Sequence, residues 1–111
     1  MRVGEIAVGR SGDKGNKLDL TIVGLDTEKY TLLEEKLTEA AAQVAIARVM
    51  PGEVVRYALP GLNALKFVVD GALPGGVYAT LHAGLHWQKA AIWVLLDLDP
   101  VSYTHLRAHE T

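Results

Sequence analysis

The chain has 111 residues, 50% of them hydrophobic, a formal charge of −2 and no cysteine. That length suits one domain with its own apolar core. The cysteine count excludes disulfides, thiolate metal sites and cysteine catalysis, and a near-neutral charge without a basic stripe argues against nucleic acid as a partner.

No apolar run reaches the roughly 18–20 residues that span a bilayer. Met1-Arg2-Val3-Gly4-Glu5 lacks the apolar segment of a secretion signal. The expected setting is the cytoplasm, with no membrane partner.

Taken in chain order, Val3 to Val8 reads as a short strand and the polar segment 10–17 as a loop. Leu18 to Leu25 alternates and then becomes wholly apolar, as a strand entering the core does. Asp26 or Thr27 offers an N-cap, and Tyr30, Leu33 and Leu37 share one helical face. Thr38 can cap a second helix from Glu39 to about Met50, with Ala42, Ile46, Val49 and Met50 as its stripe, and Pro51-Gly52 stops it. Glu53 to Ala58 reads as a strand. Leu62, Leu65, Val69, Ala72 and Leu73 recur at helical spacing and predict a third helix over 62–72, broken by Pro74-Gly75-Gly76. Val77 to Leu81 and Ala90 to Leu98 read as two last strands around a hairpin at Ala83-Gly84. Hairpins with separate helices, rather than regular βα alternation, imply an α+β fold. The expected architecture is a ferredoxin-like sandwich, a mostly antiparallel sheet with helices on one face and an extra N-terminal strand.

After Pro100 the pattern stops. Val101 to Thr111 has neither strand alternation nor a helical stripe, and it resembles one reading frame of a transposon-type sequencing-library adapter. The expected domain therefore covers 1–100, with 101–111 a non-native tail left out of functional reasoning.

Ser11-Gly12-Asp13-Lys14-Gly15-Asn16 gathers a hydroxyl, a carboxylate, an ammonium and an amide between two strands. Its glycines admit positive φ and consecutive exposed N–H groups, a nest that can cradle an anion. Lys14 would add a point charge, with Ser11 and Asn16 as donors. The alternative is a tight loop held by Asp13 on its own backbone, with Lys14 in solvent. The segment is not a phosphate-binding loop of the Walker type, because a strand follows it. Gly75 and Gly76 form a second segment that admits close approach of a ligand, or simply a helix stop.

His82 and His86 lie four apart without the intervening glutamate of a zinc-protease pattern and read as exposed hairpin residues. Trp93 reads as core, and Asp97 and Asp99 as solvated strand-edge carboxylates. No nucleophile–base–orienter set is visible, and neither a metal nor another cofactor is expected.

Several blocks resemble a known family. Ser-Gly-Asp-Lys-Gly-Asn at 11–16 is similar to the signature of the C-terminal domain of the acyclic terpene utilisation (AtuA-like) family. Tyr57 to Val69 resembles that family's second block, Ala72-Leu73-Pro74-Gly75-Gly76 its third, and Leu95 to Leu98 its last strand. Ala58, Lys66 and Pro74 depart from the usual acidic residue, Asn and Gly. The resemblance implies a ferredoxin-like fold in a stand-alone form and a link to bacterial catabolism of branched terpenoid acids through acyl-coenzyme A. It leaves two roles open. One is an accessory domain that holds a small anionic ligand on 11–16 with Gly75 and Gly76. The other is a structural module that forms a homo-oligomer or docks onto an AtuA-like partner subunit.

Overall fold

A computed structural model describes residues 1–14, 17–70 and 89–100, with the backbone alone at Asp13 and Lys14. A single helical turn, α1 (Val3–Ile6), leads into strand β1 (Ala7–Lys14). The expected strand over 3–8 therefore begins only at Ala7. Val3 and Ile6, three apart, share the buried side of the turn.

Strand β2 (Lys17–Gly24) follows β1 in a hairpin, with Lys14 directly opposite Lys17. Two helices come next, α2 (Thr27–Lys36) and α3 (Glu39–Ala47). Their caps are the ones the sequence offers. The Asp26 side chain accepts the Lys29 N–H at 2.7 Å, and Thr38 Oγ1 accepts the Ala41 N–H at 3.1 Å. The Lys29 N–H also holds the Asp26 carboxyl below its usual range.

Strand β3 (Glu53–Leu59) leads through a short 3₁₀ turn, Pro60–Leu62, to β4 (Ala64–Asp70). Asn63 takes the left-handed conformation that this tight connection needs, with φ 53°. Of the helix expected over 62–72, residues 64–70 are thus a strand, Leu62 ends the 3₁₀ turn and 71–72 lie outside the described residues. Leu65, Phe67 and Val69 are all fully buried at a period of two, and the β-branched and aromatic run 67–69 suits a pleated surface.

The last strand expected over 90–98 is also replaced. Residues 89–97 form a helix, α4. Ala91 and Leu95, four apart, are its buried stripe, while Trp93 is 67% exposed and so is not core. Asp97 is the last residue of this helix and Asp99 lies beyond it, paired with the Met1 ammonium at 3.0 Å, so neither edges a strand. The expected strand 77–81, the hairpin at 83–84, Gly75, Gly76, His82, His86 and the tail 101–111 lie outside the described residues.

The sheet runs β1-β2-β4-β3, antiparallel throughout. Directly opposed residues share a face. Leu18, Leu20 and Ile22 of β2 therefore join Leu65, Phe67 and Val69 of β4 on the covered side, all at 0% exposure. Each contributes about 1.5–3 kcal/mol by leaving water. Two glycines let the helices come close. A Cβ on Gly24 would meet the Tyr30 backbone at 2.9 Å, and one on Gly9 would meet the Ile92 side chain at 2.8 Å. The described helices thus cover one face of the sheet, with Ile92 of α4 placed over β1.

Candidate functional site

The first four residues of the six-residue polar segment are strand and not irregular loop. Ser11, Gly12, Asp13 and Lys14 are the last four residues of edge strand β1, paired in turn with Leu20, Asp19, Leu18 and Lys17. An edge strand tolerates polar residues and glycine because one side of its backbone meets solvent. Among the described glycines only Gly52 has positive φ. Gly12 is therefore extended strand and adds no left-handed step to a nest. Gly15 and Asn16, which connect the two strands, lie outside the described residues. The segment is brought to the end of a hairpin, at one corner of the sheet.

The surroundings of Gly12 are unusual for a strand glycine. A Cβ there would meet nothing within 4 Å, so the fold itself does not require glycine at this position. Its neighbour across the ladder is Asp19. The Asp19 Oδ2 atom accepts from Lys66 Nζ at 3.0 Å, while Oδ1 is shut off from solvent with no hydrogen-bond partner among the described residues. Lys66 thus sits in an ion pair on the face of the sheet away from the helices.

That open face has a legible pattern of rows, each running from β1 through β2 and β4 to β3. Nearest the hairpin end lie Lys14, Lys17, Asp70 and Glu53. Next come Gly12, Asp19, Val68 and Val55, and then Arg10, Thr21, Lys66 and Tyr57. The far row is Val8, Val23, Ala64 and Leu59. Val8 is 53% and Tyr57 51% exposed, and Val55 and Leu59 are exposed beside them.

The two edges of the sheet differ. On β3, the Val54 N–H donates to Gln43 Oε1 at 2.8 Å and the Arg56 N–H to Glu39 Oε2 at 2.9 Å. Both acceptors stand on α3, four residues apart. The Arg56 guanidinium in turn donates to the Glu34 and Leu37 carbonyls at 3.0 and 2.7 Å, which lack helical partners at the end of α2. The β3 edge is therefore sealed by side chains.

Beside the β1 edge, at the end away from the hairpin, lies an open cavity of about 440 Å³. Gly4, Val8, Gly9 and Leu96 line it, Trp93 forms one wall, and Arg2, Glu5 and Asp97 stand at its rim. Arg2 and Asp97 form an exposed ion pair at 3.4 Å across the rim. Sequence reasoning missed this cavity because it read Trp93 as core. The helical spacing of Ala91 and Leu95 is the signal that would have turned Trp93 outward.

Tyr30 is the most perturbed described side chain. Burial pushes its hydroxyl up to about 12, helped by the bond it donates to Glu34 Oε2 at 2.7 Å. It lies on the buried side of α2, away from the hairpin, and serves packing. No group of three or more His, Cys, Asp or Glu side chains with metal-holding geometry occurs among the described residues. No helix among them is long and apolar enough to cross a membrane.

A four-stranded antiparallel sheet with helices on one side and a charged hairpin at its corner defines a small α+β domain of ferredoxin-like class. More particularly, the chain belongs to the AtuA ferredoxin-like domain family, whose profile matches residues 1–99. No curated protein and no solved structure matches it.

Proposed function

We propose that this chain is a small accessory domain whose β1–β2 hairpin holds the anionic part of a ligand, a coenzyme A phosphate or an acyl carboxylate. Ser11, Gly12, Asp13, Lys14, Gly15 and Asn16 form the site, joined by Gly75 and Gly76. The supporting observation is the register of the hairpin, which sets Lys14 directly opposite Lys17. Like charges opposed across a ladder destabilise a sheet. An anion seated at the hairpin end would offset that repulsion. Open space above Gly12 leaves room for the ligand on the same strand. On this reading the domain acts within a larger system, the bacterial catabolism of branched terpenoid acids through acyl-coenzyme A, in the cytoplasm.

Isothermal titration calorimetry with an acyl-coenzyme A, free coenzyme A and pyrophosphate tests the reading. Binding is expected to weaken about tenfold in Lys14→Ala for each 1.4 kcal/mol lost, with the melting temperature not lowered and slightly raised as the repulsion from Lys17 is relieved. Absence of heat at millimolar ligand overturns the proposal. Equal affinity in Lys14→Ala and wild type removes Lys14 from the site.

A docking role is the second reading, as a homo-oligomer or on an AtuA-like partner subunit. The observation that favours it is the exposure of Val8, Val55, Tyr57 and Leu59 on one side of the sheet.

A further inference from the structure

We propose that the open face of the sheet is a two-fold interface on which a second copy of this chain packs, sheet against sheet. The proposal rests on the docking reading and names its partner. Single exposed apolar residues are ordinary on a protein surface. Here the outward positions of β3 are Val55, Tyr57 and Leu59 in succession, with Val8 on the far edge, all on the face the described helices leave bare. A solvated face would carry polar residues at those alternate positions.

The register decides which partner fits. The row nearest the hairpin is basic on the β1–β2 half, where Lys17 stands and the backbone register also puts position 14, and acidic on the β4–β3 half, with Asp70 and Glu53. The row at the other end is apolar from Val8 to Leu59. A two-fold axis running along the strands between β2 and β4 lays each row on its own copy with left and right exchanged. The basic half of the charged row then meets the acidic half of its copy, and apolar row meets apolar row. Arg10 falls on the side of the second copy's Tyr57, a cation beside a ring. An axis across the strands would instead lay charges on the apolar row. The pattern is thus self-complementary about one axis, as an isologous interface requires. Aligned packing of two twisted sheets at about 30° accommodates it.

The size of the face sets the strength. Strands about 4.8 Å apart, rising about 3.3 Å per residue, make it roughly 19 by 23 Å. Burial from both copies is then on the order of 1,000 Å², the lower bound for a specific interface. The dimer is accordingly weak and visible only at high concentration.

The test is sedimentation equilibrium of the full chain from about 10 μM to 1 mM, a range suited to an interface of that size. The wild type is expected to dimerise, and Leu59→Asp to stay monomeric. Lys17→Glu and Asp70→Lys each set like charges against one another where position 17 meets position 70 of the second copy, and are expected to weaken association about tenfold or more. Mixed in equal amounts, these two variants are expected to pair with each other as tightly as the wild type does with itself. Lys17 and Asp70 also face each other within one chain. Thermal melts of each variant separate that effect, because an in-chain repulsion lowers the melting temperature and is not relieved by mixing. A wild type that stays monomeric at the top of the range overturns both this proposal and the homo-oligomer. A wild-type dimer untouched by all three substitutions overturns this interface and leaves oligomerisation standing.

Discussion

The two faces of the sheet are built from the same four strands by the same alternation, yet they carry different information. On the helix side, Leu18, Leu20, Ile22, Leu65, Phe67 and Val69 are fully enclosed. Little freedom remains there, because close-packed interiors register even a methylene. On the other side, Val8, Val55, Tyr57 and Leu59 stand exposed among Arg10, Asp19 and Lys66, while Ala64 is enclosed. A residue change on the first side alters whether the chain folds. A change on the second alters what the folded chain can touch. That division is the reason to look for function on the open face and at the hairpin corner it shares.

The comparison is broken most forcefully at Phe67, the largest fully enclosed side chain among the described residues. Phe67→Ala is expected to cost about 3–5 kcal/mol in urea or thermal unfolding, from lost transfer energy and the cavity left behind. Tyr57→Ala, one strand away on the other face, is expected to change stability by less than about 0.5 kcal/mol in dilute solution. Similar losses at both positions would mean that the open face is covered in the folded chain.

Gly24 probes the enclosed side from the backbone. It lies on the covered face, opposite Ala7, where α2 approaches β2. In Gly24→Ala the new Cβ would sit 2.9 Å from both the Tyr30 nitrogen and Cα. A backbone neighbour cannot swing aside as a side-chain tip can. The expected loss is about 1–3 kcal/mol, the range of overpacking in a core, read as a lowered urea midpoint with an unchanged slope.

Much of the enclosed face was legible in the sequence, and much of the open face was not. The alternation of Leu18, Leu20 and Ile22 and the caps at Asp26 and Thr38 speak directly to local structure, so β2, α2 and α3 were found. The region 62–72 misled because Leu65 and Val69 fit a helical spacing while Leu65, Phe67 and Val69 fit a strand. Tertiary pairing with β2 decided for the strand. The run 91–96 misled in the opposite way. A short, wholly apolar run has no period of its own, and length and flanking residues arbitrate poorly. The hairpin segment misled because polarity was taken for irregularity, whereas β1 is an edge strand whose backbone pairs on one side. The rows of the open face exist only through registers between strands far apart in sequence, which no local pattern encodes.

A smaller effect separates burial from surface chemistry at Tyr30. The folded chain holds its phenolic proton to about pH 12, while an exposed tyrosine releases it near 10.0. Between those values the unfolded chain binds fewer protons than the folded one, so stability falls as pH rises through the window. It is fully present below pH 10. Tyr30→Phe removes this titration together with the bond to Glu34, at a cost of about 1 kcal/mol near neutral pH. Melting temperatures of the two proteins are expected to converge between pH 10 and 12. Parallel curves across that window would mean that Tyr30 ionises freely in the folded state.

The smallest expected change in stability is at Gly12, and it separates most finely what folds the chain from what the chain binds. Gly12 is extended, and an added methyl would meet nothing within 4 Å. Glycine in a strand interior weakens it, through entropy and the lack of a side chain to pack. Gly12→Ala is therefore expected to leave stability within about 0.5 kcal/mol of wild type or to raise it slightly. On the ligand reading the space above Gly12 is the ligand's, and the same methyl is then expected to weaken acyl-coenzyme A binding in calorimetry about tenfold. A glycine that costs the fold and serves only the site produces opposite signs in the two measurements. Loss of stability would show that the hairpin needs this glycine for itself. Unchanged binding would show that the ligand does not approach the strand at this point.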